Sequence, residues 1–561
     1  MAVLKNSRPA NADSVNNSLL SQFGTGPILP VPHHVVHEAF ESIVDTYPAA
    51  IAAKFGDATI TYRQLDIAAN RLAHVLIDSG LKPRQRVCLV VQRSFEMLTG
   101  ILAILKAGCQ YVPIDGGVAS EQAMRHIFRD TDARYILCLP RFSDKVRECA
   151  GGNAIILALD GDTGADARTE RPRVTVTARD GAYAIYTSGS TGMPKGVDVS
   201  HGNVTNALTL EPAKLGIRVG SKVAQVLSIA FDMGAWEILG CIMNGGTLYL
   251  RGSDWRATLR EVDTFISTPS ILSKYTRSDL PNLRTIVTGG EPCPQVYAEI
   301  LADEWAQGTC YYNICGPTEI TILNSAHRHV SGRSISIGRP LPNTTCYILD
   351  ENEQLVPFGE KGVMWVGGAG VTRGYINLPE LTSQRYKKDK FANDGSIMFN
   401  TGDIVRWRED GSLETFGRMD DQVKIKGFRV ELDGVSAVIE KFPGITRAAA
   451  MVVDADLHGF YTAETLIDEQ DVETFAQQHL PYYSVPKYWH FAPAIPLTPN
   501  GKVDKKALRE LALRDLSTTD SRADSGAQVD MTVPNLPAPP QAHQPKMSGC
   551  IFSIIQRRRG S

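Results

Sequence analysis

Alternating helical and strand-like patterns predict an α/β fold for the larger part of this 561-residue chain. Residues 64–81 and 94–108 have apolar side chains at helical spacing, and the short apolar runs 86–91 and 111–115 follow them. Helices that alternate with apolar strands are typical of mainly parallel sheets covered by helices. Near residue 400 the pattern changes to short strand-like pieces separated by turns.

Changes in composition predict four segments. Residues 1–30 are polar, with Asn, Ser, Gly and Pro, and are predicted to be a leader or linker. A large domain is expected over 31–419 and a smaller one over 420–512. Residues 513–561 begin with a stretch rich in Ser, Asp, Pro and Gln that lacks periodicity, so we predict a disordered tail.

Composition excludes several classes of protein. The formal net charge of -3 gives no electrostatic footprint for nucleic acid. The ten cysteines are scattered without a C-x-x-C pair, which argues against structural zinc and favours reduced thiols in the cytosol. No signal-like segment or membrane-length apolar run occurs. We therefore expect a cytoplasmic protein without nucleic-acid or membrane partners.

A loop rich in glycine and hydroxyl side chains follows a predicted strand at 182–186. The sequence AIYTSGSTGMPKGV occupies 184–197 and contains Pro194, Lys195 and Gly196 near its end. Glycines let backbone N–H groups surround a phosphate, while hydroxyls and a lysine add donors and charge. Because Lys195 follows Pro194 and no Ser or Thr comes next, this is not a Walker A loop. The pattern predicts a phosphate-binding loop.

This loop resembles the phosphate-loop motif of the adenylate-forming superfamily, which includes acyl-CoA synthetases, luciferases and adenylation domains of nonribosomal peptide synthetases. Further motifs of that superfamily follow in order over about four-fifths of the chain: TYRQL (61–65), LKAGCQYVPID (105–115), FDMGAWE (231–237), NICGPTE (313–319), GRPLPN (338–343), NTGD (400–403), GRMDDQVKIKGFRVEL (417–432), LPYYSVP (480–486) and PNGKVDKKAL (499–508). The resemblance is strongest to adenylation domains of fungal siderophore synthetases. It implies a large N-terminal domain of layered α/β sheets plus a β-barrel-like subdomain, hinged to a small C-terminal α+β domain.

The resemblance implies that ATP and Mg²⁺ convert a carboxylate into an acyl-AMP, with release of pyrophosphate. Glu319 matches the Mg²⁺ carboxylate, and a hard dication prefers oxygen ligands. Lys502, on the small domain, matches the catalytic lysine that contacts substrate carboxylate and phosphate, and Thr187 is the third implied catalytic residue. The implied ATP-binding residues are Thr187, Ser188, Gly189, Ser190, Thr191, Gly192, Lys195, Gly290, Cys315, Gly316, Thr318, Asp403 and Arg418. Cys315 stands where the family often has an aromatic residue that stacks on adenine.

The substrate is expected to be an amino acid, because Asp232 matches the aspartate that pairs with an α-ammonium group in amino-acid-activating domains. A buried carboxylate needs such a cationic partner. Together with Lys502, the pocket positions are Asp232, Met233, Trp236, Ile266, Val287, Gly289, Ile314, Ile322 and Leu323. No acidic residue among them suits a basic side chain, and no second positive group suits an acidic one. Since Gly289 removes bulk, we expect a large neutral substrate such as an N5-acyl-N5-hydroxyornithine, in siderophore biosynthesis.

A second catalytic state is implied by Asp420, which matches the hinge of the family. Rotation there exchanges Lys502 for the segment around Lys424 to Phe428, and the family then transfers the acyl group to a thiol. No carrier or condensation motif occurs in the chain. We therefore expect phosphopantetheine on a carrier domain as the partner, in cis or in trans, for either a stand-alone enzyme or a piece of a longer synthetase.

Two alternatives stay open from sequence. An acyl- or aryl-CoA ligase of the same fold would require CoA and ignore an α-amino group, which leaves Asp232 without its role. An inactive adenylation module retained as a scaffold would have lost its lysines or acids, yet Lys195, Glu319, Asp403 and Lys502 are all present.

Overall fold

The computed structural model describes residues 18, 20–161, 163, 164, 166–189, 192–304, 308–425, 427–465, 467–497 and 503–523. Its strands are, in chain order, β1 (Ile51–Phe55), β2 (Ala58–Thr61), β3 (Arg86–Val91), β4 (Gln110–Asp115), β5 (Tyr135–Cys138), β6 (Ile155–Ala158), β7 (Gly181–Thr187), β8 (Lys195–Ser200), β9 (Lys222–Gln225), β10 (Thr247–Leu250), β11 (Thr264–Ser267), β12 (Thr285–Thr288), β13 (Cys310–Cys315), β14 (Ser325–Arg328), β15 (Arg339–Pro340), β16 (Thr344–Leu349), β17 (Gly362–Gly368), β18 (Tyr386–Lys388), β19 (Ile397–Trp407), β20 (Leu413–Arg418), β21 (Gln422–Ile425), β22 (Phe428–Glu431), β23 (Ile445–Val453), β24 (Asp456–Ala463) and β25 (Tyr488–Phe491).

The α-helices are α1 (Val36–Thr46), α2 (Tyr62–Asp78), α3 (Phe95–Lys106), α4 (Glu121–Asp130), α5 (Ser143–Cys149), α6 (His201–Thr209), α7 (Asp232–Ala235), α8 (Trp255–Leu259), α9 (Pro269–Leu272), α10 (Gln295–Glu304), α11 (Pro379–Arg385), α12 (Leu432–Ile439), α13 (Glu469–His479) and α14 (Lys505–Ala523). No helix among the described residues is long and apolar enough to span a bilayer.

Two mainly parallel sheets form most of the fold. The first has nine strands in the order β15-β14-β13-β12-β11-β9-β10-β1-β2 and is parallel from β13 to β1. The second has six strands in the order β6-β5-β3-β4-β7-β8 and is parallel from β6 to β7. The predicted α/β class is confirmed.

Smaller, mainly antiparallel units follow, in which only β24 and β25 pair in parallel among the described strands. Strands β16 to β20 form a five-stranded sheet, which accounts for the strand-like pieces near residue 400 and for the expected barrel-like region. The hairpin β21–β22 comes next, and the three-stranded sheet β23-β24-β25 shares a hydrophobic core with α12 and α13. Strands and helices thus mix after residue 420, as expected of an α+β region.

Local sequence explains where the elements begin. Thr61 caps α2, since its side chain accepts from the Gln64 N–H while the Gln64 side chain accepts from the Thr61 N–H. Strand β4 is buried at every position, as a strand in the middle of a covered parallel sheet should be. Apolar residues of α2, α3 and both parallel sheets share one core.

The chain divides into one compact unit that runs to Leu508 and a second that begins at Arg509. The predicted boundaries at 30, 419 and 512 stay predictions. The predicted disordered tail, 513–561, lies mostly outside the described residues; its first part continues α14 to Ala523.

Candidate active site

A cavity of about 290 Å³ lies at the carboxyl ends of strands from the nine-stranded sheet. Ligands of parallel α/β sheets usually bind at this edge. The loop after β7 and the hairpin β21–β22 complete the wall. Of the residues predicted from sequence, those that line it are Thr187, Ser188, Asp232, Met233, Gly290, Ile314, Cys315, Gly316, Thr318, Ile322, Asp403 and Arg418.

The phosphate loop begins where β7 ends. Thr187 Oγ1 is buried without a hydrogen-bond partner among the described residues, and the Ser188 hydroxyl donates to the Arg429 carbonyl at 2.8 Å. Gly192 has φ +82°, a conformation that favours glycine. Lys195 is almost fully buried, 3.6 Å from Glu431.

The structure describes the phosphate loop on both sides of residues 190 and 191. Gly189 and Gly192 line an adjoining cavity of about 110 Å³. The predicted Ser190, Thr191 and Lys502 lie outside the described residues.

At another part of the cavity, Asp403 and Arg418 face each other. Arg418 Nη1 donates to Asp403 at 2.8 Å, which orients both side chains. The Cys315 thiol lines the same space, and burial raises its pKa to about 12, so the group stays protonated at neutral pH. The ribose-binding role of Asp403 and the place of Cys315 in the adenine site stay predictions.

The predicted hinge residue is held in an ion-pair network. Asp420 accepts from Arg418 Nε at 2.7 Å and lies 3.4 Å from Arg385. Burial tends to raise the Asp420 pKa, but Arg418 outweighs this effect and the pKa falls. Rotation at this residue would break these contacts, so the network stabilises the arrangement observed.

Glu319 is 0% exposed and is neutralised by a residue of the hairpin. Arg429 Nη1 lies 2.9 and 3.1 Å from its two carboxylate oxygens, and the Tyr375 hydroxyl donates at 2.6 Å. Burial alone would raise the Glu319 pKa; Arg429 and Lys195 outweigh it and lower the pKa to about 2. The carboxylate is therefore charged and fully paired.

The donors around Glu319 fit Mg²⁺ in another state. This ion takes one or two carboxylates together with water and substrate phosphates. Glu319 offers carboxylate oxygens, and Thr187 offers a buried hydroxyl without a partner among the described residues. These two residues would hold Mg²⁺ after Arg429 has left Glu319.

The hairpin β21–β22 is the segment that the sequence assigned to the second catalytic state. Lys424, Gly427 and Phe428 line the cavity. Phe428 stacks on Tyr483, with ring centroids 4.2 Å apart, and meets Phe231 edge to face at 5.0 Å. The hairpin face with Lys424, Gly427 and Phe428 therefore forms part of the cavity wall in this structure.

Asp232 lies at the start of α7 with its carboxylate in the cavity. It accepts the Thr318 hydroxyl at 2.6 Å and the Met233 N–H at 2.7 Å, and it forms no ion pair within 4.0 Å among the described residues. Burial raises the Asp232 pKa. A buried carboxylate with two hydrogen bonds and no counter-ion can accept a substrate cation.

The predicted side-chain pocket is filled by neighbouring side chains in this structure. A Cβ at Gly289 would lie 2.4 Å from Ile314 Cδ1, so Ile314 occupies the space that the glycine leaves. Trp236 is buried and donates to the Ala213 carbonyl at 2.9 Å. The other deep positions, Ile266, Val287 and Leu323, are core residues. The expectation that Gly289 makes room for a large substrate stays a prediction.

Sequence reasoning also missed cationic residues. It expected no second positive group, whereas Arg93 and Arg251 line the cavity. They lie after β3 and β10, outside every motif used above, and no pattern in the sequence places them together. Arg429 lies inside the motif GFRVEL but was given no role, although its position there could have identified it.

Comparisons with known proteins identify the family of this chain. Residues 40–376 match the family model described as AMP-binding enzyme. Two adenylate-forming reductases of Coprinopsis cinerea, 06235 and 03009, are similar in sequence to this chain. Their identities to it are 44% and 43%, over 93% and 90% of its length. These alignments cover 51% and 49% of the reductases, so the chain spans about half their length.

A peptide synthetase and a solved structure are also similar. A linear gramicidin synthase of Brevibacillus parabrevis is 36% identical over 84% of this chain and 6% of its own. A solved nonribosomal peptide synthetase protein with adenylation and PCP domains, bound to a vinylsulfonamide inhibitor, matches with a TM-score of 0.74. Its sequence identity is 26%, over 88% of this chain and 85% of that chain. This chain belongs to the AMP-binding enzyme family, the adenylate-forming enzymes, and is similar to the adenylation domains of nonribosomal peptide synthetases.

Proposed function

We propose that this chain uses ATP to activate the carboxylate of an α-amino acid as an aminoacyl-AMP, and then transfers the acyl group to a phosphopantetheine thiol. The observation that carries the proposal is the meeting of three groups on one cavity. These are the start of the phosphate loop at Thr187 and Ser188, the Asp403–Arg418 pair, and the unpaired Asp232 carboxylate.

The first half-reaction forms the acyl-AMP. A substrate carboxylate oxygen attacks the α-phosphorus of ATP. The bond between this phosphorus and the oxygen that bridges to the β-phosphate breaks, and pyrophosphate leaves. Lys195 and the loop backbone stabilise the phosphates, and Asp403 accepts the ribose hydroxyls. Glu319 would hold Mg²⁺, which would supply positive charge that favours release of pyrophosphate.

The second half-reaction forms the thioester. The thiol sulfur attacks the acyl carbon, the bond to the AMP phosphate oxygen breaks, AMP leaves, and the thiol proton passes to solvent. After pyrophosphate has left, Arg429 neutralises Glu319, and the hairpin with Phe428 closes the cavity. The arrangement described above therefore suits thiol transfer.

The substrate class follows from two observations. Asp232 favours a free α-ammonium group, and the Ile314 side chain above Gly289 favours a compact neutral side chain. An N5-acyl-N5-hydroxyornithine, the substrate expected from sequence, would require Ile314 to turn away. The relatives reported above do not support the role in siderophore biosynthesis, which rests on the sequence resemblance alone.

A second candidate function comes from the reductases. They match over nine-tenths of this chain at higher identity than the gramicidin synthase does. Under this alternative the chain is the adenylating part of a longer adenylate-forming reductase, and the activated acid is reduced after transfer to the thiol. The adenylation chemistry is the same in both cases, whereas the fate of the thioester differs.

The proposed function is tested by substrate-dependent ATP–pyrophosphate exchange without a thiol. The panel contains compact neutral amino acids, an N5-acyl-N5-hydroxyornithine, the same acids without the α-amino group, and fatty acids. We expect exchange with compact α-amino acids. Exchange only with acids that lack the amino group would favour the CoA ligase, and none with any acid, in folded protein, would favour the inactive module.

Replacing Ile314 by alanine should enlarge the side-chain pocket. We expect the kcat/KM ratio of a large to a compact neutral amino acid to rise about tenfold in exchange, because a pocket discriminates modestly by size. The measurement compares both substrates in the wild type and in Ile314→Ala, with thermal unfolding as the check on folding. An unchanged ratio would show that Ile314 already moves aside in the wild type.

A further inference from the structure

Two arginines from different sheets meet on the cavity wall. Arg93, after β3, donates through Nη2 to the Leu227 carbonyl at 2.7 Å and also to the Val226 carbonyl. Arg251, after β10, donates through Nε to the same Val226 carbonyl at 3.3 Å. The guanidinium of Arg251 also lies over the Trp255 ring, 4.1 Å from its centroid. Backbone carbonyls and a ring thus fix both cations in place.

Neither arginine forms a direct ion pair with a described residue, although the charges of Glu237 and Asp115 act on both. Among the described residues no carboxylate lies within 4.0 Å of either guanidinium, and Arg93 Nε is buried without a hydrogen-bond partner. Burial, and for Arg251 also the charge of Arg93, lowers the pKa of each group, to about 10 for Arg251. Two adjacent cations without an ion pair are costly in a partly buried wall unless an anion joins them.

The two acids near the arginines also have other partners, and one of them, Asp115, lines the same cavity. Asp115 accepts the Ser228 hydroxyl at 2.8 Å. Glu237 accepts the backbone N–H groups of Val226 and Leu227 at 3.1 and 3.0 Å, and burial raises its pKa to about 8. Asp115 offsets part of the positive charge of the two arginines, and the remaining positive charge on the cavity side is available to a ligand.

The arginine pair lies on a different part of the cavity wall from Gly290. Both guanidinium groups contact the Val226 carbonyl just after β9, and two strand spacings of about 4.8 Å each, or about 10 Å, separate β9 from β12 along the sheet edge. The cavity between them is lined by apolar and aromatic residues, among them Phe428 and Trp255, and Tyr482 beside it is 59% exposed.

We propose that Arg93 and Arg251 bind the phosphate of the phosphopantetheine arm while its thiol reaches the acyl-AMP. This proposal depends on the proposed thiol transfer. An anion at the outer end of a long, mostly neutral chain matches a cationic pair at one end of an apolar passage. Arginine suits this task because its planar guanidinium donates two parallel hydrogen bonds to phosphate oxygens.

The test compares two acyl acceptors that differ only in the phosphate, pantetheine and 4′-phosphopantetheine. With the wild type we expect a KM for phosphopantetheine about 10- to 100-fold below that for pantetheine, the range for charge-assisted hydrogen bonds. In Arg251→Gln this preference should fall to a few-fold. Arg251→Lys keeps the charge and should retain part of the preference, which separates loss of charge from loss of packing.

Arg256→Gln is the matched control. Arg256 lies on α8, pairs with Asp279 at 3.1 Å and does not line the cavity, so its replacement should leave the preference for the phosphate unchanged. Equal KM values for the two acceptors with the wild type would overturn the proposal. An equal rise of both KM values in Arg251→Gln would also overturn it.

Two further results would assign the arginines differently or remove the basis of the proposal. If Arg251→Gln raised the KM of the acid in pyrophosphate exchange and left the acceptor preference intact, the arginines would bind a substrate carboxylate and the proposal would be wrong. Absence of exchange in the wild type would defeat the proposed function itself, a failure distinct from loss of the phosphate preference.

Discussion

Replacing Arg429 by methionine should slow thioester formation at least about 100-fold, and much more than it slows acyl-AMP formation. In the arrangement described here, Arg429 is the nearest cation to the fully buried Glu319 carboxylate. Methionine keeps much of the volume but leaves that carboxylate without its ion pair, which costs about 3–5 kcal/mol in a buried site. During adenylation Mg²⁺ would supply the missing charge, so that state is affected less.

Single-turnover measurements of the two half-reactions test this expectation. Acyl-AMP is formed first without a thiol, and its decay is then followed after the thiol is added. Arg447→Met, which replaces an exposed arginine on β23, is the control and should change neither rate. Equal slowing of both steps in Arg429→Met would mean that Arg429 supports the fold of the site and does not act in one state.

Gly434→Ala tests the same closed arrangement by a different contact. A Cβ at residue 434 would lie 2.4 Å from the Gly189 carbonyl oxygen of the phosphate loop. Because alanine is favoured over glycine inside a helix, α12 itself should be more stable with the change. We therefore expect slower thioester formation from a protein that is folded and still forms acyl-AMP. Thermal unfolding of the variant checks the first part of this expectation.

The sequence predicted those features that depend on local pattern. The buried strand β4 and the phosphate loop after β7 depend on neighbouring residues, and hydrophobic periodicity or hydrogen-bonding chemistry identifies them. The layered α/β class follows from the alternation of helical and strand-like patterns. Residues inside motifs, such as Asp403 and Arg418, also lie together as the resemblance implied.

Features that depend on packing between distant segments could not be predicted. Arg93 and Arg251 meet because the loops after β3 and β10 converge on Val226, and neither loop has a recognisable pattern. Ile314 fills the space above Gly289 because strands β12 and β13 are neighbours in this register. The sequence shows the glycine but does not show which side chain of the neighbouring strand lies against it. The Arg429–Glu319 pair depends on which face of the hairpin is at the site, a property of one conformational state.

Replacing Asp232 by asparagine should separate amino-acid activation from activation of other acids. Asparagine has nearly the same shape and can still accept the Thr318 hydroxyl, but it removes the negative charge that pairs with the α-ammonium group. A buried ammonium without its partner costs several kcal/mol, so kcat/KM for α-amino acids in pyrophosphate exchange should fall at least about 100-fold. The corresponding acid without the amino group should lose much less.

The comparison between the two acids is therefore the informative quantity. Asp144→Asn, which changes an exposed carboxylate on α5, is the control and should leave the preference unaltered. Asp232→Asn could instead reduce exchange equally for the amino acid and for its analogue without the amino group. Asp232 would then hold Thr318 and the start of α7 in place, and it would not be the partner of the α-ammonium group. A preference of the variant for the analogue would show that the charge of Asp232 selects amino acids. Without that charge, the cavity would accept the analogue, which has no ammonium group, more readily than an ammonium group without a counter-ion.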